Sequence, residues 1–279
     1  MTASGLTPAD LLYPSWPVAP RVRALMTTRA GGVSLPPYGR WQAGSEAPGG
    51  LNLGLHTGDD PACVAANRAR LLACAGVQNV AWLEQVHGVS VVRAEDALLQ
   101  QAEEAPLLRA DASVADQPGV VCAVMVADCM PVLLCDAAGR AVGAAHAGWR
   151  GLAAGILERT AQQVAQLAGA PTSALHAWLG PSIGPTAFEV GAEVREAFVS
   201  EAPEGVPREA TQRAFVARPG AGGKYLADLP ALARLRLLRV GVTRVTGGNL
   251  CTVGDPGRFY SYRRDQATGR MAALIWLAS

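Results

Sequence analysis

The chain has 279 residues; half are hydrophobic and 17% are charged, with 24 basic against 23 acidic residues for a net charge of +1. This composition supports a large core and excludes a disordered chain. The near-neutral balance leaves no electrostatic footprint for nucleic acid or an anionic membrane, and no apolar run reaches the roughly 18 residues that span a bilayer. Residues 1–20, broken by Pro8, Pro14 and Pro17, read as an irregular lead-in without the basic start and apolar stretch of a signal peptide. None of the six cysteines shows C-x-x-C spacing, which points to reduced thiols in a cytoplasm.

In chain order, Val22 to Thr28 predicts a strand running into the glycine turn at Gly31 and Gly32, and Pro36 to Gly50 reads as a surface loop. Asp60 before Pro61 marks a helix start, helical spacing holds from Val64 to Ala75, and Gly76 ends it. Val80 to Leu83 and Val89 to Arg93 predict short strands on either side of His87, followed by a helical or mobile connector over Glu95 to Ala105. The unbroken apolar run Val120 to Val126 predicts a buried strand. Val132 to Cys135, the turn Asp136 to Gly139, and Ala141 to His146 predict a hairpin.

Gly151 to Ala168 reads as one strong helix, Ala177 to Leu179 as a strand ending in the tight loop Gly180 to Pro185. Val190 to Val199 and Leu226 to Leu238 read as helices, Val242 to Val245 and Met271 to Leu277 as closing strands. Strands and helices mix without regular βαβ alternation, repeat or linker. The expected fold is one α/β (or α+β) domain over 1–279, built of layered mixed sheets sandwiched by helices.

Three segments carry metal-type ligands: His87 in Glu84-Gln85-Val86-His87-Gly88, Cys129 in Ala127-Asp128-Cys129-Met130-Pro131, and His146 in Ala145-His146-Ala147-Gly148. The chain has only four histidines. Two imidazoles and a thiolate leave a fourth position open on zinc, as catalytic sites do. The bland alternative is a buried cysteine beside a hydrogen-bonded histidine. Asp111 and Asp128 are placed to orient a metal-bound histidine or to act as general base.

Gly148-Trp149-Arg150-Gly151 opens the predicted helix, so its free N–H groups and the Arg150 charge suit an anion; an ordinary glycine turn is the competing reading. Arg29 and Asn52, beside glycine-rich turns, suit ligand holding. His56 is a further candidate, His176 reads as a surface histidine, and Tyr260, Tyr262, Arg263 and Arg264 read as a solvated hairpin face. Gly222-Gly223-Lys224 is followed by Tyr225, so no Walker motif is present.

Taken in order, Thr27-Thr28-Arg29 with Gly31-Gly32, Leu51-Asn52-Leu53-Gly54, Gly58-Asp59-Asp60-Pro61 with Asn67-Arg68, Gln85-Val86-His87-Gly88, Ala127-Asp128-Cys129, His146-Ala147-Gly148-Trp149-Arg150-Gly151 and Phe259-Tyr260-Ser261-Tyr262-Arg263 resemble the bacterial YfiH-type family, also called the laccase-domain or polyphenol oxidase family. The match spans Arg21 to Leu277, with a longer rim over Tyr38 to Gly50. The resemblance implies a layered α/β fold related to a toxin-type cysteine hydrolase, with zinc on His87, Cys129 and His146. It also implies phosphorolysis of adenosine, inosine and methylthioadenosine with some adenosine deamination, so a nucleoside and phosphate are the expected small-molecule partners.

A multicopper laccase needs more than four histidines, although one Cys and two His could bind a single copper. The zinc deaminase signature H-x-E with P-C-x-x-C is absent. The expectation is a cytoplasmic, monomeric, zinc-dependent purine nucleoside phosphorylase. A Cys129–His146 hydrolase, for example one editing cell-wall precursors, and a copper polyphenol oxidase are the alternatives.

Overall fold

A computed structural model describes residues 5–202, 206–220 and 222–279. Two mixed sheets stack face to face. The first has the order Leu11–Leu12, Val22–Thr27, Met271–Leu277, Val120–Val126, Asn79–Ala81. The second runs Arg244–Gly247, Leu175–Leu179, Met130–Asp136, Val142–Ala147, Ala112–Ala115, Val91–Arg93.

The apolar run Val120–Val126 is continuous because both faces of its strand are buried. Cys122, Val124 and Val126 point between the sheets, where they meet Leu133, Cys135, Val142 and Ala144 of the second sheet. Val121, Ala123 and Met125 point the other way, into a core shared with Leu71 of the helix Pro61–Ala75. The second sheet alternates likewise: Val132, Leu134, Ala145 and Ala147 face the helices Ile156–Ala168 and Leu229–Arg239. The result is a helix, sheet, sheet, helix layering.

Local chemistry explains most boundaries. Asp60 caps the first helix through the Ala62 N–H at 2.8 Å, Pro61 opens it, and Gly76 closes it at φ 66°. Several expectations change. The helix expected over Gly151 to Ala168 is two, Trp149–Ala153 and Ile156–Ala168, because Gly155 sits at φ 96° and breaks the run. Leu226 belongs to a strand, Tyr225–Ala227, and the following helix starts only at Leu229, where the Asp228 side chain accepts from the Ala231 N–H at 2.9 Å.

Pro36 to Gly50 contains a hairpin, Arg40–Gln42 against Ser45–Ala47. The lead-in is not wholly irregular, since Leu11 and Leu12 pair with Thr27 and Met26; residues 1–4 lie outside the described residues. The closing strand is Arg244–Gly247, shifted from Val242 to Val245. Helix Val206–Arg213 and strand Phe215–Ala217 are further elements that the sequence reading does not include; both are short. His176 is buried, in a strand flanked by Cys135 and Arg244, because Leu175–Leu179 is interior to its sheet.

Candidate metal centre

The chain passes from the first sheet to the second at Ala127-Asp128-Cys129, between strands Val120–Val126 and Met130–Asp136. In the second sheet Pro131 pairs with His146 and Met130 with Ala147. Continuing that register sets Cys129 opposite Gly148 and diagonal to His146. His87 enters from the loop before strand Val91–Arg93. Its Nε2 lies 3.7 Å from Cys129 Sγ, and its ring meets that of His146 edge-on with centroids 4.7 Å apart. The three ligand atoms all lie within 4.8 Å of one another. A tetrahedral zinc with ordinary bond lengths separates S and N ligands by about 3.6 Å, so the donor set fits zinc in both chemistry and spacing.

Asp111 organises this trio. Fully buried, it accepts from His146 Nδ1 at 2.8 Å and from the N–H groups of His87 at 2.8 Å and Gly88 at 2.6 Å. The Nδ1–H therefore points to the carboxylate and leaves His146 Nε2 free as a ligand, the carboxylate–histidine arrangement of metal sites. The same bonds hold His87 at φ 60°. Asp128 sits at φ 90°, held by Thr252 Oγ1 at 2.5 Å and the Arg263 N–H at 2.6 Å on its carboxylate. Two non-glycine residues with positive φ flanking one centre mark a strained site fixed by its surroundings. Asp111 thus fixes His146 and the His87 loop, and Asp128 ties the turn before Cys129 to Thr252 and Arg263.

Burial pushes the Cys129 thiol up, but the His146 and His87 imidazoles outweigh it and bring its pKa down to about 6. Burial lowers His146, while the Cys129 thiolate and the Asp111 carboxylate together raise it to about 9. The metal-free pair is therefore poised as thiolate and imidazolium. Burial pushes the Cys122 and Cys135 thiols up to about 12.

The centre lies on a cavity of about 740 Å³. Its lining includes the aromatic and apolar Trp149, Ile183, Phe188 and Tyr262 as well as His56, Arg68 and Arg270. Of the anion holders expected from the sequence, Arg29, Asn52 and Arg150 do not line this cavity. Arg29 is fully buried, spending its guanidinium on Glu46 at 2.9 Å, Gly39 O and Pro256 O, and stacking on Tyr260. It clasps the Tyr38 to Gly50 segment. Asn52 is also fully buried, bonded to Thr57, Asp59 and the Arg270 N–H.

Arg150 is exposed and lies over the Trp149 ring. Gly148 opens a helix of only five residues, and its lack of a side chain matters differently: a Cβ there would lie 2.8 Å from His87 Cδ2 and 3.0 Å from Cys129 Sγ. Of the expected hairpin face, Tyr260 is buried and Tyr262–Asp265 forms a short helix, so Tyr262 and Arg263 reach the cavity. Sequence reasoning missed Arg68 and Arg270; Arg68 adjoins Asn67 in a quoted motif, whereas Arg270 stood in none.

Residues 23–278 match the family described as multi-copper polyphenol oxidoreductase laccase. The chain belongs to this family. It is 50% identical over 270 residues to the purine nucleoside phosphorylase YfiH of Escherichia coli strain K12, covering 96% of this chain and 99% of the relative. It is also 50% identical over 270 residues to a purine nucleoside phosphorylase of Pseudomonas aeruginosa, covering 95% and 98%. A Neisseria meningitidis protein of the DUF152 family superposes with a TM-score of 0.82 at 47% identity, over 97% of this chain and all of that one. YlmD from Geobacillus stearothermophilus gives 0.84 at 29% identity, covering 99% of both chains.

Proposed function

We propose that this chain is a zinc-dependent purine nucleoside phosphorylase acting on adenosine, inosine and methylthioadenosine, with adenosine deamination as a side activity. The observation that carries the reading is the His87–Cys129–His146 set, oriented by Asp111, on a cavity with both aromatic and cationic lining residues. The names of relatives half identical over nearly the whole chain support it. At about 740 Å³ the cavity is in the range of small-molecule sites, roughly 300–1,000 Å³.

In phosphorolysis a phosphate oxygen bonds to ribose C1′ as the C1′–N9 bond breaks. The bonding pair leaves with the purine, which takes up a proton, giving free base and ribose 1-phosphate. In deamination water adds at C6 and ammonia departs. His87, Cys129 and His146 would hold the zinc, which would supply Lewis acidity. Trp149 and Phe188 offer faces for the base, Asp111 keeps His146 in one tautomer, and Asp128 holds the Cys129 turn. The setting we infer is a cytoplasmic monomer; the described cysteines are all free thiols.

A second reading has its own support. Cys129, His146 and Asp111 line up as nucleophile, base and orienting carboxylate, the plan of a cysteine hydrolase. Metal analysis combined with turnover separates the two. The phosphorylase reading expects about one zinc per chain and ribose 1-phosphate from inosine only when phosphate is supplied. Cys129→Ala should lose both zinc and turnover, and activity surviving chelation would shift the assignment to the hydrolase. Bound copper with oxygen uptake on phenols would instead favour the oxidase chemistry in the family's description.

A further inference from the structure

We infer that Arg68 and Arg270, with His56 beside them, form the phosphate subsite of this cavity. The inference rests on the phosphorylase reading and assigns its second substrate a place.

The Arg68 guanidinium and the Arg270 backbone both bond to one short segment, Asn52-Leu53. Arg68 projects from the helix Pro61–Ala75, donates through Nε to Leu53 O at 3.0 Å and stacks 4.2 Å over the Trp82 ring. The Arg270 backbone brackets the same segment: its carbonyl accepts from the Leu53 N–H at 3.1 Å, and its N–H donates to Asn52 Oδ1 at 2.8 Å. Its side chain passes Gly54, where a Cβ would stand 2.8 Å from Arg270 Cγ. The glycine is required for the arginine to reach the cavity.

Among the described residues neither guanidinium has a carboxylate within 4.0 Å, although twelve ion pairs occur elsewhere, from Arg29–Glu46 to Arg264–Asp265. Their protein partners are the Leu53, Thr268 and Gly269 carbonyls and, for Arg68, the Met125 sulfur. That leaves Arg68 Nη1 and the Nε and Nη2 of Arg270 without a protein acceptor. Two half-buried cations with no carboxylate in contact carry a desolvation cost that is only partly offset. A dianion in the cavity offsets it, and guanidinium forks suit phosphate oxygens.

Burial, then Arg270, then Arg68 lowers the His56 pKa, which shows both cations acting on one spot. His87, Cys129 and His146 line the same cavity as His56, Arg68 and Arg270. Arg263 is less suited. It is held on the Glu189 carbonyl at 3.1 Å and stacks on Phe188, an aromatic face that suits the base.

The test uses the zinc-loaded full chain with Arg68→Met, Arg270→Met and Arg270→Lys. Each Met variant should raise the phosphate KM about tenfold or more, the loss expected for charge-assisted bonds. Zinc content and inosine KM should stay near wild type, and Arg270→Lys should recover part of the loss. An unchanged phosphate KM with zinc retained overturns the subsite, as does a rise confined to inosine KM. Arg68→Met removes the Trp82 stack, so Arg270→Met decides the matter if the Arg68 variant does not fold. Calorimetric titration with inorganic phosphate keeps the subsite and the function separable. If the wild type phosphorolyses no nucleoside yet binds phosphate and Arg270→Met does not, the subsite stands and the phosphorylase reading falls. Equal phosphate binding by both proteins overturns the subsite whatever the activity.

Discussion

At the scale of single residues the centre depends on groups packed behind its three candidate ligands. Asp111 spends its carboxylate on His146, His87 and Gly88, so Asp111→Asn removes the charge and unsettles the tautomer of His146 while keeping the volume. Metal affinity should drop roughly 10–100-fold, measured by competition with a chromophoric chelator; unchanged affinity would remove Asp111 from the site's support. Gly148→Ala tests spacing, since its Cβ would fall 2.8 Å from His87 and 3.0 Å from Cys129. Reduced zinc content with an otherwise folded protein is the expected outcome.

The Cys129 thiol gives a pH signature in metal-stripped protein. Its pKa is depressed, so the reactive thiolate dominates at neutral pH, and alkylation by iodoacetamide should fall as pH drops through about 6. Cys122 and Cys135 should stay silent across that range, being pushed up to about 12. A Cys129 midpoint near the free-thiol value of about 8.5 would contradict the imidazole pairing.

The grouping of His87, Cys129 and His146 was legible at this scale because His and Cys are scarce and chemically distinctive. The arginines were not, because type alone does not say which of many arginines faces a cavity. Arg29 and Arg68 each adjoin a motif, yet one is sealed against Glu46 and the other opens to the pocket. Asn67 and Arg68 are neighbours on one helix turned about 100° apart. Asn67 staples Val33, Ser34 and Asn52 while Arg68 reaches the cavity.

Among elements, those with explicit punctuation are where the sequence places them. The Asp60–Pro61 start and Gly76 stop bound the first helix, and the turn Asp136 to Gly139 joins the hairpin Met130–Asp136 and Val142–Ala147. Asp60→Ala should cost about 1 kcal/mol in denaturant unfolding, the usual value of an N-cap, with zinc content unchanged. A loss well below that would mean the cap is replaced by another acceptor.

Where punctuation is weak, tertiary contacts decide. Gly155 lies inside a periodic run that reads as one helix, but its positive φ splits the run. The five-residue helix that results leaves Trp149 on the cavity wall. Tyr225–Ala227 has enough apolar character to continue a helix, yet it pairs with both Glu189–Val190 and Phe215–Ala217.

At the scale of the whole molecule, the stack of two sheets makes the site. Leu133 is fully buried in the core between the sheets. Leu133→Ala should destabilise by about 2–5 kcal/mol through lost burial and the cavity left behind, read as a shifted denaturation midpoint. The loss should appear as one cooperative transition, because the second sheet shares its inner face with the first and its outer face with two helices. A separate early transition would show that the layers unfold independently. No helix among the described residues is long and apolar enough to cross a membrane.

By itself the sequence determined the strands buried on both faces, the capped helix, the family and three candidate ligands, because these follow from residue type and short-range pattern. Only the tertiary structure decided that Cys129 and His87, 42 positions apart, meet at 3.7 Å. It also decided that Asp111 lies behind them and that Arg68 and Arg270 face the same cavity. Those facts depend on sheet register and on where the chain crosses from one sheet to the other. Both are settled by packing across the layers, and neither leaves a local mark in the sequence.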